Sequence, residues 1–194
     1  KAPRRESGLV LRLHEAGCIR FGDFVLHSGL TSPIYIDLRV LASYPFLLDE
    51  VAAVYTQLLD GLTFDRIAAV PYAALPIGTA VSLRTGVPLI YPRREAKGYG
   101  TARAIEGIFS PGERAVLLDD LVTTGASKLE AVEPLKAAGL RITDVAVLLD
   151  RSKNAKQELA RAGYELHSAY TLAEALQILA EHERISGEER QKVL

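Results

Sequence analysis

Residues 115–128 read Ala-Val-Leu-Leu-Asp-Asp-Leu-Val-Thr-Thr-Gly-Ala-Ser-Lys, and this string restricts the possible folds more than any other part of the chain. Its first four residues are apolar without alternation, the pattern of a strand covered on both faces in a parallel sheet. Such a strand needs helices on either side, and the flanking sequence supplies them. Apolar spacing predicts helices over 45–59, 75–84, 125–138, 152–162 and from Leu172, with strands over 66–70, 88–92, 145–149 and 164–169. This alternation specifies an α/β fold, a doubly wound parallel sheet with right-handed crossovers.

The N-terminal part reads differently. Leu9, Val10 and Leu13 fall at helical spacing within 6–17, and Gly17 is placed to end that helix. Short strands over 21–26 and 33–38, joined by the turn-rich stretch 27–32, predict a small hood beside the sheet. At 194 residues with 48% hydrophobic content, the chain suits one substantial core and is marginal for two. The expectation is a single domain over 1–194: a hood at about 18–40, a core at about 45–180 and a polar helical tail over 181–194.

Composition narrows the class of partner. A net charge of −1 with no long basic run gives little support for nucleic-acid or membrane-surface binding. No apolar run approaches the length of a membrane span and no signal peptide is evident, so a cytoplasmic location is expected. Cys18 is the only cysteine, which excludes an intrachain disulfide and favours a buried apolar role. The sequence contains no Met, from which we expect a processed, trimmed or excised piece.

At the carboxyl end of the 115–118 strand, Asp119 and Asp120 stand where ligands collect in open α/β sheets, with acceptor oxygens suited to vicinal hydroxyls. Leu121, Val122, Thr123, Thr124, Gly125, Ala126 and Ser127 then form a small-residue turn into a helix. Unpaired N–H groups and the helix dipole favour a phosphate there. The segment can thus hold both ends of a ribose 5-phosphate. The alternative is a solvated Asp pair followed by Thr124 as an ordinary N-cap and Gly125 as a turn residue. A P-loop is not indicated, because the Gly-x-x-x-x-Gly-Lys-Ser/Thr pattern is missing. The full ordered string closely resembles the phosphoribosyl pyrophosphate (PRPP) signature of the type I phosphoribosyltransferases, in which the acids bind the ribose hydroxyls and the turn binds the 5-phosphate.

A second stretch, 93–103, carries four cations, Arg93, Arg94, Lys97 and Arg103, and two glycines directly after a strand. By itself it reads as an anion-seeking loop or as a solvated basic loop. Gly98-Tyr99-Gly100 is no dinucleotide fingerprint, since Arg103 stands where the third glycine would permit close helix packing. Followed by Ile105-Glu106-Gly107, the stretch resembles the catalytic loop of orotate phosphoribosyltransferases. Three further motifs extend the resemblance over roughly 9–180: the hood residues 24–29 and 32–39, the loop 70–76, and Leu148-Leu149-Asp150-Arg151. The chain is most similar to the phosphoribosyltransferase half of bifunctional uridine monophosphate synthases.

The resemblance implies roles, residue by residue. Asp119 and Asp120 would hold the ribose diol, and Leu121 to Ser127 the 5-phosphate. His27, Tyr72, Ala73, Arg93, Arg94, Lys97 and Tyr99 would surround PRPP, with Lys97, Asp119 and Asp120 as the catalytic set. Tyr35, Ile36, Thr123 and Arg151 would recognise orotate; a guanidinium suits a carboxylate or paired carbonyls because it donates two parallel hydrogen bonds. It also implies Mg2+ held mainly through PRPP, with no dedicated protein metal site, and a homodimer sharing loop 93–103 across its interface. A fused orotidine monophosphate decarboxylase domain would lie outside this chain. His27 and Ala73 stand where many bacterial members have Lys, Tyr99 where many have His, and Ala126 lacks a hydroxyl often found there. A transferase for a purine or uracil, and a non-catalytic PRPP-sensing regulator, are the competing expectations.

Overall fold

In a computed structural model, described over residues 7–25, 29, 31–93 and 104–193, the expected alternation builds one six-stranded sheet. The strands are β3 (Arg66–Ala69), β4 (Leu89–Pro92), β5 (Ile105–Glu106), β6 (Arg114–Val122), β7 (Arg141–Asp150) and β8 (Glu165–Thr171). Their spatial order is β5-β4-β3-β6-β7-β8, parallel throughout except for the two-residue edge strand β5. From β3 the chain moves outward to β4, then crosses back to β6 and continues outward the other way. The strand order therefore reverses between β3 and β6, and a crevice opens at the carboxyl ends of such a pair.

Apolar side chains leave alternate faces of these strands and pack two separate layers. Ile67, Ala69, Val116, Leu118, Ala146 and Leu148 join one core with α1 (Ser7–Glu15), α2 (Pro45–Leu58), α3 (Ala74–Thr85) and α6 (Leu172–Glu181). Ala68, Ala115, Leu117, Val145 and Val147 join the other with α4 (Ala126–Ala137) and α5 (Ala155–Arg161). Non-alternating sequence thus serves two cores at once. Gly78 lets α3 lie directly on β3: a Cβ there would stand 2.8 Å from that of Ala69. No described helix is long and apolar enough to cross a membrane.

The hood is a two-stranded antiparallel sheet of β1 (Ile19–Val25) and β2 (Thr31–Ile36), registered Ile19 to Ile36 and Phe21 to Ile34, with an irregularity between Phe21 and Phe24. Both strands begin two residues earlier than sequence spacing predicts. Ser32, Ile34 and Ile36 are buried on one face of β2, and buried Cys18 precedes β1. The hood joins the core through a 3-10 turn, Leu38–Ser43, which apolar periodicity did not signal. Asp37 initiates it by accepting from the Arg39 N–H at 3.1 Å. The polar tail forms α7 (Gly187–Val193), packed against β2.

Two further departures bear on the site. Strand β6 was expected to end before Asp119 but runs to Val122, because the ten-residue β7 supplies partners beyond the acids: Leu121 with Leu149, Val122 with Asp150. Helix α5 starts at Ala155 rather than Ser152, whose hydroxyl accepts from the Ala155 N–H at 3.2 Å.

Candidate active site

The reversal between β3 and β6 opens a cleft of about 640 Å³ under the hood. Ile36, Asp37 and Arg39 come from the hood, Val70 to Ala73 from the loop after β3, and Arg93 from the end of β4. Asp119 to Leu121, Thr123, Ser127 and Lys128 complete the opposite wall. Four stretches separated in sequence therefore converge on one crevice.

Asp119 is the buried member of the acid pair, 6% exposed. Its Oδ1 accepts from the Asp120 N–H at 2.9 Å and its Oδ2 from Lys128 Nζ at 2.5 Å. Its backbone is fixed from below, where the fully buried Tyr55 of α2 donates its hydroxyl to the Asp119 carbonyl at 2.5 Å. Burial pushes the Tyr55 phenol well above its ordinary range, so it stays a neutral donor. Asp120 accepts from the Leu121 N–H at 2.8 Å. Burial first, and then the neighbouring Asp119 charge, raise its carboxyl to about 7. Two adjacent carboxyls thus differ in kind: one clamped by a cation, the other poised between charged and neutral forms near neutral pH.

Beyond β6 the chain turns sharply into α4. Gly125 caps that helix with no side-chain cap, and its N–H donates to Glu158 Oε2 of α5 at 2.9 Å. A Gly125 Cβ would stand 3.0 Å from that carboxylate oxygen and 3.2 Å from the Glu158 Cβ, so a larger residue requires Glu158 to give by a few tenths of an ångström. Thr123, Thr124, Ala126 and Ser127 are exposed around the turn. Among the described residues no protein acceptor takes the N–H of Thr124, Ala126 or Ser127. These amides are left open at a helix start, the arrangement that suits an anion.

The other expected residues distribute unevenly. Arg93 reaches the cleft while paired with Glu106 of β5, and its N–H donates to the Ala104 carbonyl at 2.8 Å. Tyr72 and Ala73 line the β3 side, where the Pro71–Tyr72 peptide is cis. Ile36 faces the cleft, whereas Tyr35 does not line it. Strand alternation turns the Tyr35 ring toward Phe24, at 5.4 Å between centroids, with the Arg20 guanidinium 5.1 Å from its own. Arg151 stands one strand away from the cleft wall, just past β7, its N–H donating to the Val122 carbonyl at 3.0 Å. Its half-buried guanidinium has no partner among the described residues, and burial alone lowers its pKa. Leu121 and Val122 are strand residues, Val122 fully buried. His27, Arg94, Lys97 and Tyr99 lie outside the described residues.

Lys128 is the site residue that sequence reasoning passed over. It is 5% exposed and wedged between Asp119 and Ser127, whose Oγ lies 3.3 Å from its Nζ. A lysine in a first helical turn ordinarily reads as solvated, and only its position nine residues after an acid in a buried strand could have singled it out. As for metal ligands, Asp144, Glu165 and His167 form the one group of His, Cys or acidic side chains among the described residues with ligand atoms within 4.8 Å of one another. They lie toward the amino ends of β7 and β8, away from the cleft.

Comparison with known proteins decides the family. No family model matches the chain. The orotate phosphoribosyltransferase of Pyrobaculum aerophilum is 40% identical over 183 residues, which cover 94% of this chain and 93% of that protein. The chain belongs to the orotate phosphoribosyltransferase family. It is also 41% identical to a bifunctional PyrF/PyrE enzyme of Nostoc sp., over 93% of this chain but 38% of that protein. Among solved structures, the Leishmania donovani UMP synthase superposes with a TM-score of 0.89 at 44% identity, over 96% of this chain and 41% of that one. The chain thus spans about two fifths of the length of these bifunctional relatives and nearly all of the single-function one.

Proposed function

We propose that the chain transfers the 5-phosphoribosyl group of PRPP to N1 of orotate, yielding orotidine 5'-monophosphate and pyrophosphate in pyrimidine nucleotide synthesis. The observation that carries this reading is one continuous segment that presents two carboxyls and Ser127 on the cleft wall and leaves the backbone N–H groups of Thr124, Ala126 and Ser127 without a protein acceptor among the described residues. That spacing matches a ribose 5-phosphate gripped at its diol and its phosphate. Hydroxyls of the diol would donate to Asp119 and Asp120, and the 5-phosphate would accept from the 124–127 turn. Arg151 would meet the orotate carboxylate or carbonyls, replacing lost hydration with two parallel hydrogen bonds.

In the reaction, N1 of orotate forms a bond to the anomeric carbon as the bond to the pyrophosphate oxygen breaks, with inversion, and the N1 proton passes to solvent or to the departing pyrophosphate. The protein need supply no covalent nucleophile. Its part is positioning, together with cationic stabilisation of the departing pyrophosphate by Arg93, Arg94 and Lys97. The cleft wall offers carboxylate and hydroxyl oxygens and neither His nor Cys among its described residues, a donor set that suits Mg2+ carried in on PRPP. Bound there, Mg2+ would offset pyrophosphate charge. A homodimer sharing loop 93–103, a cytoplasmic location and a decarboxylase fused in the parent polypeptide belong to the same proposal.

The direct test follows orotate absorbance with PRPP and Mg2+ present, then with each omitted. Orotate should disappear only in the complete mixture, and uracil and hypoxanthine should remain untouched. Turnover of another base, or PRPP binding without turnover of any, would overturn the assignment.

A further inference from the structure

Of the charged groups lining the cleft, Lys128 is the buried one for which the reaction assigns no part, held at 5% exposure between two groups that are assigned. Its ammonium donates to Asp119 Oδ2 at 2.5 Å and to Ser127 Oγ at 3.3 Å. An ammonium has three donors, so one N–H remains beyond these two contacts. Desolvating a flexible lysine is costly, and a lysine on the first turn of α4 could reach solvent readily. Its side chain instead turns back to the end of β6.

We propose that Lys128 is a positioning residue of the PRPP site, a cationic tie that holds the diol-binding carboxylate of Asp119 in register with the phosphate-binding turn at Ser127. The proposal rests on the ribose 5-phosphate reading of the cleft given above.

The geometry explains how the tie acts. Asp119 is held at both oxygens, one by the Asp120 N–H and one by Lys128, which fixes the carboxylate plane and leaves lone pairs for ribose hydroxyls. Tyr55 of α2 fixes the same residue through its carbonyl. Across β6, Asp119 is registered with the apolar Val147, so no charge reaches it from β7. Besides Tyr55, the other ionisable groups described around the cleft are Asp120 beside it, Glu130 on α4, Tyr72 past β3, Arg93 past β4, and Asp37 and Arg39 of the hood. Asp37 and Arg39 already pair with each other at 2.7 Å, and Arg93 pairs with Glu106. Lys128 is therefore the cation that meets the acid pair, and it fixes the separation between the two ends of the sugar phosphate.

The test compares Lys128→Met and Lys128→Arg with the unaltered protein, using ribose 5-phosphate binding and full kinetics. In Lys128→Met, ribose 5-phosphate affinity and KM for PRPP should each worsen at least tenfold while KM for orotate stays within twofold. The acid limb of PRPP binding should also move to higher pH, because the acid pair loses its cation. Lys128→Arg should recover most of the PRPP affinity. Unchanged ribose 5-phosphate affinity in Lys128→Met, or equal losses for both substrates with no movement of the acid limb, would overturn the proposal.

Should Lys128→Met fail to fold, the Lys128 ammonium resonance of the unaltered protein decides. It should shift when ribose 5-phosphate is added and stay in place when orotate alone is added; a resonance indifferent to the sugar phosphate would refute the tie. Failure of the two readings is distinguishable. Unaltered protein that binds ribose 5-phosphate with a shift of the Lys128 resonance but consumes no orotate would refute the base assignment alone, whereas orotate turnover in Lys128→Met with an unchanged KM for PRPP would refute the tie alone.

Discussion

Asp119, Asp120 and Lys128 at the carboxyl end of the sheet, and Asp144, Glu165 and His167 toward the amino ends of β7 and β8, are clusters of similar composition with opposite states of satisfaction. In the second, His167 Nε2 lies 2.7 Å from Asp144 Oδ1, and Thr143 donates its hydroxyl to Asp144 Oδ2 at 2.6 Å. Those bonds close within β7 and β8 and leave little to offer a ligand. In the first, Asp120 is raised to about 7 and three amides beyond it have no protein acceptor among the described residues. Composition does not distinguish the clusters. What differs is which end of the parallel strands they occupy, since helix starts and the strand-order reversal both gather at the carboxyl end.

The strongest way to break this contrast is to neutralise one acid in each cluster. Asp120→Asn should lower kcat/KM for PRPP by about two to three orders of magnitude, through lost acceptors in the transition state. Asp144→Asn should leave it within twofold; a comparable loss there would abolish the distinction. A single strand then sharpens it, because β7 carries Asp144 near its start and Arg151 just past its end. Arg151→Lys should raise KM for orotate about 10- to 100-fold, since one ammonium cannot reproduce a two-pronged contact. Measurement at saturating PRPP isolates that effect.

A smaller effect should appear with pH. Below about 7 the Asp120 carboxyl gains a proton and loses acceptor capacity, so PRPP affinity should fall toward tenfold per pH unit as the medium becomes more acid. Calorimetry between pH 5.5 and 8.5 would show it, and a flat profile would contradict the assigned role. The smallest expected effect concerns stability. The unfolded carboxyl titrates near 3.9 and the folded one near 7, so between these values the folded state holds a proton that the unfolded state lacks. Stability therefore falls as pH rises through that window, and the charged Asp120 is a burden at pH 8. Asp120→Asn should stabilise the fold there by on the order of 1–2 kcal/mol and by little at pH 4, whereas Asp144→Asn should cost about 1 kcal/mol through a weakened hydrogen bond. Thermal melts at both pH values would separate the two.

Much of this architecture was legible in the residue order. The non-alternating run at 115–118 and the spacing of helices around it specify a sheet covered on both faces, and the string through Ser127 places its acids and open turn together. Other features depend on contacts that no local pattern encodes. The bond from Tyr55 to Asp119 spans 64 residues, and nothing about a buried tyrosine in an apolar helix announces it. Lys128 reads as a surface residue until α4 is docked on the sheet. Strand β5 has only two residues, too few for any periodicity, and exists because β4 offers it an edge. Tyr35 lies beside Ile36 in sequence, yet strand pleating sends the two to opposite faces of the hood.

The bond from the Arg93 N–H to the Ala104 carbonyl, continued by the pairing of Tyr91 with Glu106 and Pro92 with Ile105, makes the chain leave the sheet and return to it at one point. Arg93 and Ala104 are held together by the sheet itself, a stem already closed by the fold, so the length of sequence between them adds little to the entropic cost of folding. The stem is thus a modular socket. A change in the number of residues between these two positions therefore adds little to the free energy needed to assemble the sheet, the hood and the cleft wall.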